Sequence, residues 1–442
     1  MKNFKDSGIE WLGEIPQHWE VVKIKFLAIF YTGDSIKDSE KHKYCFLNNS
    51  IPYISTKDID INTNVIDYNN GMFIEKNDAN FKRAYTNSIL LCLEGANAGK
   101  KIAFLDKEVC FVNKLCCISS KTKKLNSKFL FYFLQSVFFK NVFIANIKGL
   151  IGGITTDQLG NFYMLFPPLK EQEQIANFLD EKCKKIANFT EKKEKLITLL
   201  KEQKQALINE TITKGLDKNV NLKDSGIEWL GEIPQHWEIK KLKMLFILGN
   251  GLNITKADFV SYGIPCVSYG EIHSKYPCRL NTTIHILPFV SKTYLADKPQ
   301  SLLQKGDFVF ADTSEDIEGS GNFTSIQSDT PVFAGYHTII LKYKGKINSL
   351  YFSFLFDSIF TRNQIRKEVC GVKVFSITKS ILKEVQCLIP PLKEQEQIAN
   401  FLDEKCEKID LLIEKTKKQI KLIKEYKTTL INQAICGRIR KN

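Results

Sequence analysis

The sequence predicts an α+β protein in which two mixed α/β globules are separated by two long helices. These helices are expected to pair as an antiparallel coiled coil about a pseudo-twofold axis. Three observations predict this. Residues 5–20 (KDSGIEWLGEIPQHWE) return letter for letter at 223–238, and residues 167–183 (PPLKEQEQIANFLDEKC) return at 390–406. Between the copies lie two long stretches, 21–166 and 239–389, that share almost nothing. After each PPLKEQEQIANFLDEKC block comes a charged amphipathic run without Gly or Pro, ending at Gly215 and Gly437. The repeat distance exceeds any solenoid period, so this is a duplicated half-molecule.

A chain of 442 residues has room for two to four domains. Its 43% apolar and 25% charged residues are ordinary globular composition. The polar start MKNFKDSGIE does not read as a signal peptide, and the apolar runs, 24–31 among them, are too short to span a membrane. Twelve cysteines occur without a CxxC pair, which suits buried thiols in a reducing cytoplasm. Cys266, His273, Cys278 and His285 match no standard metal spacing, so no metal is expected. Lys and Arg number 63 against 49 Asp and Glu, a net charge of +14. An excess of this size favours a polyanion, because neutralising phosphates releases counterions. A lysine-rich proteome gives the same excess.

The helices follow from their punctuation and period. Paired prolines bar a helix upstream, the Glu residues after them suit its first turn, and Gly215 and Gly437 suit its end. A 4,3,4,3 seam runs through Leu179, Cys183, Ile186, Thr190, Lys193, Ile197, Leu200, Lys204, Leu207 and Thr211. Its copy is Leu402, Cys406, Ile409, Ile413, Thr416, Ile420, Ile423, Lys427, Leu430 and Ala434. Such a seam, held over several heptads, argues for a coiled coil of ~40-residue helices, each ~60 Å long. Lys204 and Lys427 interrupt it at equivalent places, either fixing register or lying with exposed stems near a coil end.

The inserts read as mainly β. Short β-type runs begin at Ile51, Ser88 and Val109 in the first, and at Ile264, Asp307 and His337 in the second. Each insert then carries one helix-like apolar segment, 129–143 or 350–365.

Catalytic signatures are missing. In EGANAGKK, Gly95 and Gly99 bracket three residues where a Walker A motif has four, and Lys101 stands where it needs Ser or Thr. No Asn/Asp-Pro-Pro-aromatic amino-methyltransferase motif occurs, nor a nuclease Asp…Glu-x-Lys cluster in strand context. No catalytic residue is expected.

Candidate DNA-contacting residues are Asn97, Lys100 and Lys101 in that glycine turn, whose backbone could approach a phosphate. A plain solvent-exposed hairpin turn reads as well. The counterpart at 313–322 (TSEDIEGSGN) is acidic, with Ser314 and Asn322 as candidates for base edges. Ahead of each proline pair, Thr155 or Thr156 and Thr378 are natural N-caps. Lys148 and Lys373 stand upstream, which adds phosphate contact as a second reading. Trp11, Trp19, Trp229 and Trp237, with His18 and His236, sit in the duplicated frame and are expected to pack against the helices.

The GIEWLGEIPQHWE entry, the IPYIS and GIPCVSYGEI strands, and PPLKEQEQIANFLDEK opening a long helix resemble the specificity subunit of Type I restriction–modification systems. The resemblance spans essentially the whole chain. It implies two target recognition domains, 1–166 and 216–389, each reading half of a split duplex DNA site. It also implies a central conserved spacer helix at 167–215 and a C-terminal one at 390–442, acting as a ruler. The implied partners are double-stranded DNA, two methyltransferase subunits and motor–nuclease restriction subunits. S-adenosylmethionine, ATP and Mg would sit on those partners, with no cofactor in this chain and no membrane. The rival readings are a specificity subunit of another restriction or defence architecture, an orphan, or a catalytic DNA methyltransferase or nuclease chain.

Overall fold

The computed structural model describes residues 4–9, 13–45, 49–149, 152–369, 371 and 374–438. The chain divides into two compact units, Met1–Lys195 with Thr416–Asn442, and Leu196–Lys415. Both long helices form, at Leu169–Lys214 and Leu392–Ile435, and at 46 and 44 residues they exceed the expected length. At 1.5 Å per residue they run to roughly 65–70 Å. Gly215 and Gly437 end them with φ of +74° and +68°, a conformation glycine adopts without a Cβ clash. Among the described residues, no single helix is long and apolar enough to cross a membrane.

Each unit takes one half of each long helix. In the first unit Glu194 meets Lys424 at 3.9 Å, and Cys183 lies within the field of Lys427. One helix therefore rises as the other descends. In the second unit the antiparallel partners are Lys204 and Asp410, 2.6 Å apart. Every seam position is buried or half-buried. Leu179, Ile186, Leu402, Ile409, Ile413, Ile420 and Leu430 are buried, while Ile197, Leu200, Leu207 and Ile423 are half-covered.

The unlike inserts fold on one plan. In the first unit an antiparallel sheet runs in the order Ala28–Thr32, Leu115–Ser120, Ile89–Cys92, Ile102–Phe104. A second sheet orders Phe73–Glu75, Ser50–Ile54, Val109–Phe111 and Arg83–Ala84, with its central pair parallel. The second unit repeats both, as Phe246–Asn250, Thr338–Tyr343, Phe308–Ala311, Phe323–Ile326 and as Phe289–Val290, Ile264–Val267, Val332–Ala334, Leu302–Leu303. It adds an edge strand, Cys278–Leu280, parallel to Phe323–Ile326. What the two inserts share is a set of short strands buried in continuous apolar runs, which specifies a sheet covered on both faces without specifying letters.

The apolar segments differ from the sequence reading. Each is two helices, Ser127–Gln135 with Val137–Ala145, and Ser349–Asp357 with Ile359–Glu368. Ser136 and Ser358 break them, their hydroxyls accepting the first-turn N–H groups of Phe139 and Thr361 in the next helix. Packing of Phe129, Phe133, Phe139 and Phe143 in one core, and of Phe352, Phe356 and Phe360 in the other, holds each bent pair against its sheet.

Candidate nucleic-acid interface

The duplicated letters make duplicated contacts. In the first unit Glu171, in the opening turn of the long helix, accepts the Trp19 indole N–H at 3.1 Å and pairs with His18 at 2.6 Å. In the second, Glu394 does the same with Trp237 at 3.1 Å and His236 at 2.7 Å. Next along each helix, buried Gln172 and Gln395 donate to the carbonyls of Pro167 and Pro390. Both amides also accept an N–H from the insert, of Asn126 and Asn348 respectively. Asn432 and Asn209, near the far ends of the helices, accept the N–H groups of Val137 and Ile359. Each insert is thus gripped by the start of one helix and the end of the other. Trp229 is half exposed against Phe360, and Trp11 lies outside the described residues.

This frame presents one edge of each insert in the same way. In the first unit Ile154 N–H donates to Leu93 O, and Glu94 bridges Gly153. In the second, Ile377 N–H donates to Asp312 O, and Thr313–Ser314 pairs with Phe375–Ser376. The loop after the third sheet strand therefore crosses the segment leading to the capped helix in both units. Thr155 caps Thr156–Gly160 through Gln158 N–H, and Thr378 caps Lys379–Glu384 through Ile381 N–H. Between Thr155 and Thr156, the cap is Thr155.

On the first edge the glycine turn of Asn97 and Lys100 is tied to the segment of Lys148 and Thr155 by backbone bonds, Gly95 N–H to Gly152 O and Lys148 with Gly153. Lys100 and Lys148 are exposed, and among the described residues Lys100 Nζ reaches the Ala96 carbonyl alone, at 3.0 Å. Lys101 turns inward, its ammonium 2.7 Å from Thr56 O. The turn is closely packed at one glycine: Gly99, at φ +70°, would drive a Cβ to 2.6 Å from the Phe143 ring. On the second edge Ser314 is buried and Thr378 exposed. Asn322 spends both ends of its amide on the protein, at 2.9 Å from His273 Nδ1 and 2.9 Å from Arg362 Nη1. Lys373 lies outside the described residues.

Sequence reasoning did not place Tyr269, His273 and His337 at this edge, where they join Ser314 and Asp316 around a cavity of about 810 Å³. No local signal marks them, because they come from separate elements. The four residues weighed as a metal set are dispersed in role. His273 bonds Thr313 O, His285 stacks on Tyr276, and burial pushes the Cys266 thiol up to about 12. Among the described residues, no group of three His, Cys, Asp or Glu side chains is placed to hold a metal ion.

Two frames holding unlike inserts, each with an exposed loop at the same edge, set the terms for comparison with known proteins. The model of the Type I restriction modification DNA specificity domain matches residues 16–199 and again 234–422. The chain belongs to this family. As a Type I specificity subunit it is similar to the Type I restriction enzyme MjaVIII specificity subunit of Methanocaldococcus jannaschii. That protein is 28% identical over 456 residues, covering 99% of this chain and 96% of the relative. The MjaX specificity subunit of the same organism, described as putative, is 25% identical over 99% and 97% of the two chains. Among solved structures, a chain from work on complex assembly and conformational transition of the type I R-M system has a TM-score of 0.73. It is 15% identical and covers 96% of this chain and 99% of its own. The HsdS subunit from Thermoanaerobacter tengcongensis gives 0.54 at 15% identity, covering 96% and 98%. At such identities these likenesses speak for the fold. The two-part family match therefore falls on the duplication seen in the sequence, one specificity domain to each insert and the helix that follows it.

Proposed function

We propose that this subunit reads an asymmetric, split duplex site, one half with each unit, across a gap that it does not read. It carries no catalytic residue of its own and binds no cofactor. Its cytoplasmic partners are two copies of an adenine methyltransferase subunit, joined by motor–nuclease restriction subunits. S-adenosylmethionine, ATP and Mg act on those partners. The methyltransferase must turn its adenine out of the stack, since chemistry on a stacked base requires extrusion.

The observation that carries this reading is the contrast between frame and edge. Leu169, Lys170, Glu173 and Gln174 are exposed at the start of one long helix, and their identical copies Leu392, Lys393, Glu396 and Gln397 are exposed at the start of the other. Equal surfaces suit two equal partners. The edge loops, built on the same backbone pattern, carry different side chains, as two different half-sites demand. Methylome sequencing of the host with and without this gene tests the proposal. One split motif, with unlike halves and a fixed gap, should lose methylation when the gene is removed. An unchanged methylome would overturn it, as would methyl transfer by the purified chain alone.

A further inference from the structure

The two edge loops occupy the same place in their units but carry opposite charge. Residues 94–101 bring Lys100 and Lys101 against the single carboxylate of Glu94, whereas 313–322 bring Glu315, Asp316 and Glu318 and no cation. On a surface that meets DNA, three carboxylates repel phosphates and weaken binding. They help only where a base edge offers them a hydrogen-bond donor.

The second edge is shaped for such a contact. Glu315, Asp316 and Glu318 are exposed, and the Glu315 carboxylate makes no hydrogen bond among the described residues. Asp316 spends Oδ1 on the Gly319 N–H at 2.6 Å. Arg366 donates to the Glu318 carbonyl, and Arg362 holds Asn322, so the loop is fixed from behind. Beneath it lies the cavity of about 810 Å³. Ser314 lines that cavity at 5% exposure, and its hydroxyl proton has no acceptor among the described residues. Its oxygen receives only the Asp316 N–H, at 3.4 Å.

In the major groove only adenine and cytosine present an amine. Adenine sets its N7 acceptor beside that amine, which a group of carboxylates repels, whereas cytosine offers N4–H₂ alone. We propose that the second unit reads a cytosine in its half-site, the N4 amine donating to the carboxylates of the 315–318 loop above the Ser314 cavity. This rests on the DNA-reading function given above.

The test uses the full chain assembled with its methyltransferase partner and duplexes carrying the methylated site. Each cytosine is replaced in turn by 2-pyrimidinone, which lacks the N4 amine, and binding is titrated at fixed salt. One position in the second unit's half-site should lose about 5- to 100-fold in affinity, the range of a good base contact. At least one of Glu315→Gln, Asp316→Asn and Glu318→Gln should abolish that sensitivity while leaving the other half-site unaffected. The inference is overturned if no cytosine in that half-site is sensitive, or if the sensitivity survives in all three variants. It is equally overturned if the variants lose the methyltransferase partner instead, which would assign the loop to a protein contact. Unsubstituted protein that binds no split site would overturn the function itself, and this inference with it.

Discussion

The indole N–H of Trp19 donates to Glu171 at 3.1 Å, joining the N-terminal motif to the first turn of the central helix across 152 positions of sequence. Trp237 and Glu394 make the same bond at the same distance in the other unit. Both indoles are buried, and Glu171 and Glu394 each hold a histidine with their second oxygen. Glu171→Gln and Glu394→Gln should each lower stability by about 1–3 kcal/mol, because a charge-assisted acceptor is lost beside a buried donor. Denaturant unfolding of the single and double variants measures this. The two losses should add to within about 0.5 kcal/mol, since the pairs belong to separate compact units.

The glycine turn at the first edge gives a contrast within one loop. Gly95 and Gly99 both have positive φ, but a Cβ on Gly95 meets nothing within 4 Å, whereas one on Gly99 strikes Phe143. Gly95→Ala should cost about 1 kcal/mol for the backbone alone, and Gly99→Ala about 3 kcal/mol once overpacking is added. Thermal unfolding ranks the two. Equal losses would show that the ring moves aside freely.

A lysine in the first unit gives a pH dependence. Burial, reinforced by the charge of Lys427, holds the Lys140 ammonium below the usual lysine range. A depressed value in the folded state means that folding opposes the charged form. The penalty is in full force at neutral pH and is relieved as pH rises through the folded value toward the ordinary lysine value of about 10.4. Lys140→Met should therefore raise the Tm at pH 7, and its advantage should shrink by pH 10. Calorimetry across that window measures it, and an advantage that grows with pH would contradict the sign.

The ruler role that the family resemblance implies for the long helices makes a geometric prediction. Four residues inserted within 191–204 lengthen the central helix by ~6 Å, roughly one to two base pairs of duplex. Methylome sequencing of such a strain should show an altered gap between unchanged half-sites. Altered half-site bases would defeat the ruler.

How much was legible depended on the range of the interaction. The seam at Leu179, Ile186, Leu402 and Ile409 could be read because helical period is a local property, and so could the stops at Gly215 and Gly437. Thr155 and Thr378 were legible as caps because a cap acts three residues away. The breaks at Ser136 and Ser358 were overlooked, because an apolar run looks continuous until tertiary packing bends it. Lys101 and Asn322 looked as available as Lys100, yet Thr56, His273 and Arg362 claim them from distant strands and helices.

The sequence alone determined the duplicated frame, the two long helices and the bounds of the unlike inserts, because identical letters under identical local constraints form identical elements. Tertiary structure alone decided that each unit is closed by half of both helices. It also decided that the dissimilar inserts share one sheet plan, and which edge side chains are left facing outward. Those outcomes depend on contacts between residues far apart in the chain, where burial and hydrogen-bond satisfaction rather than local propensity choose the partner.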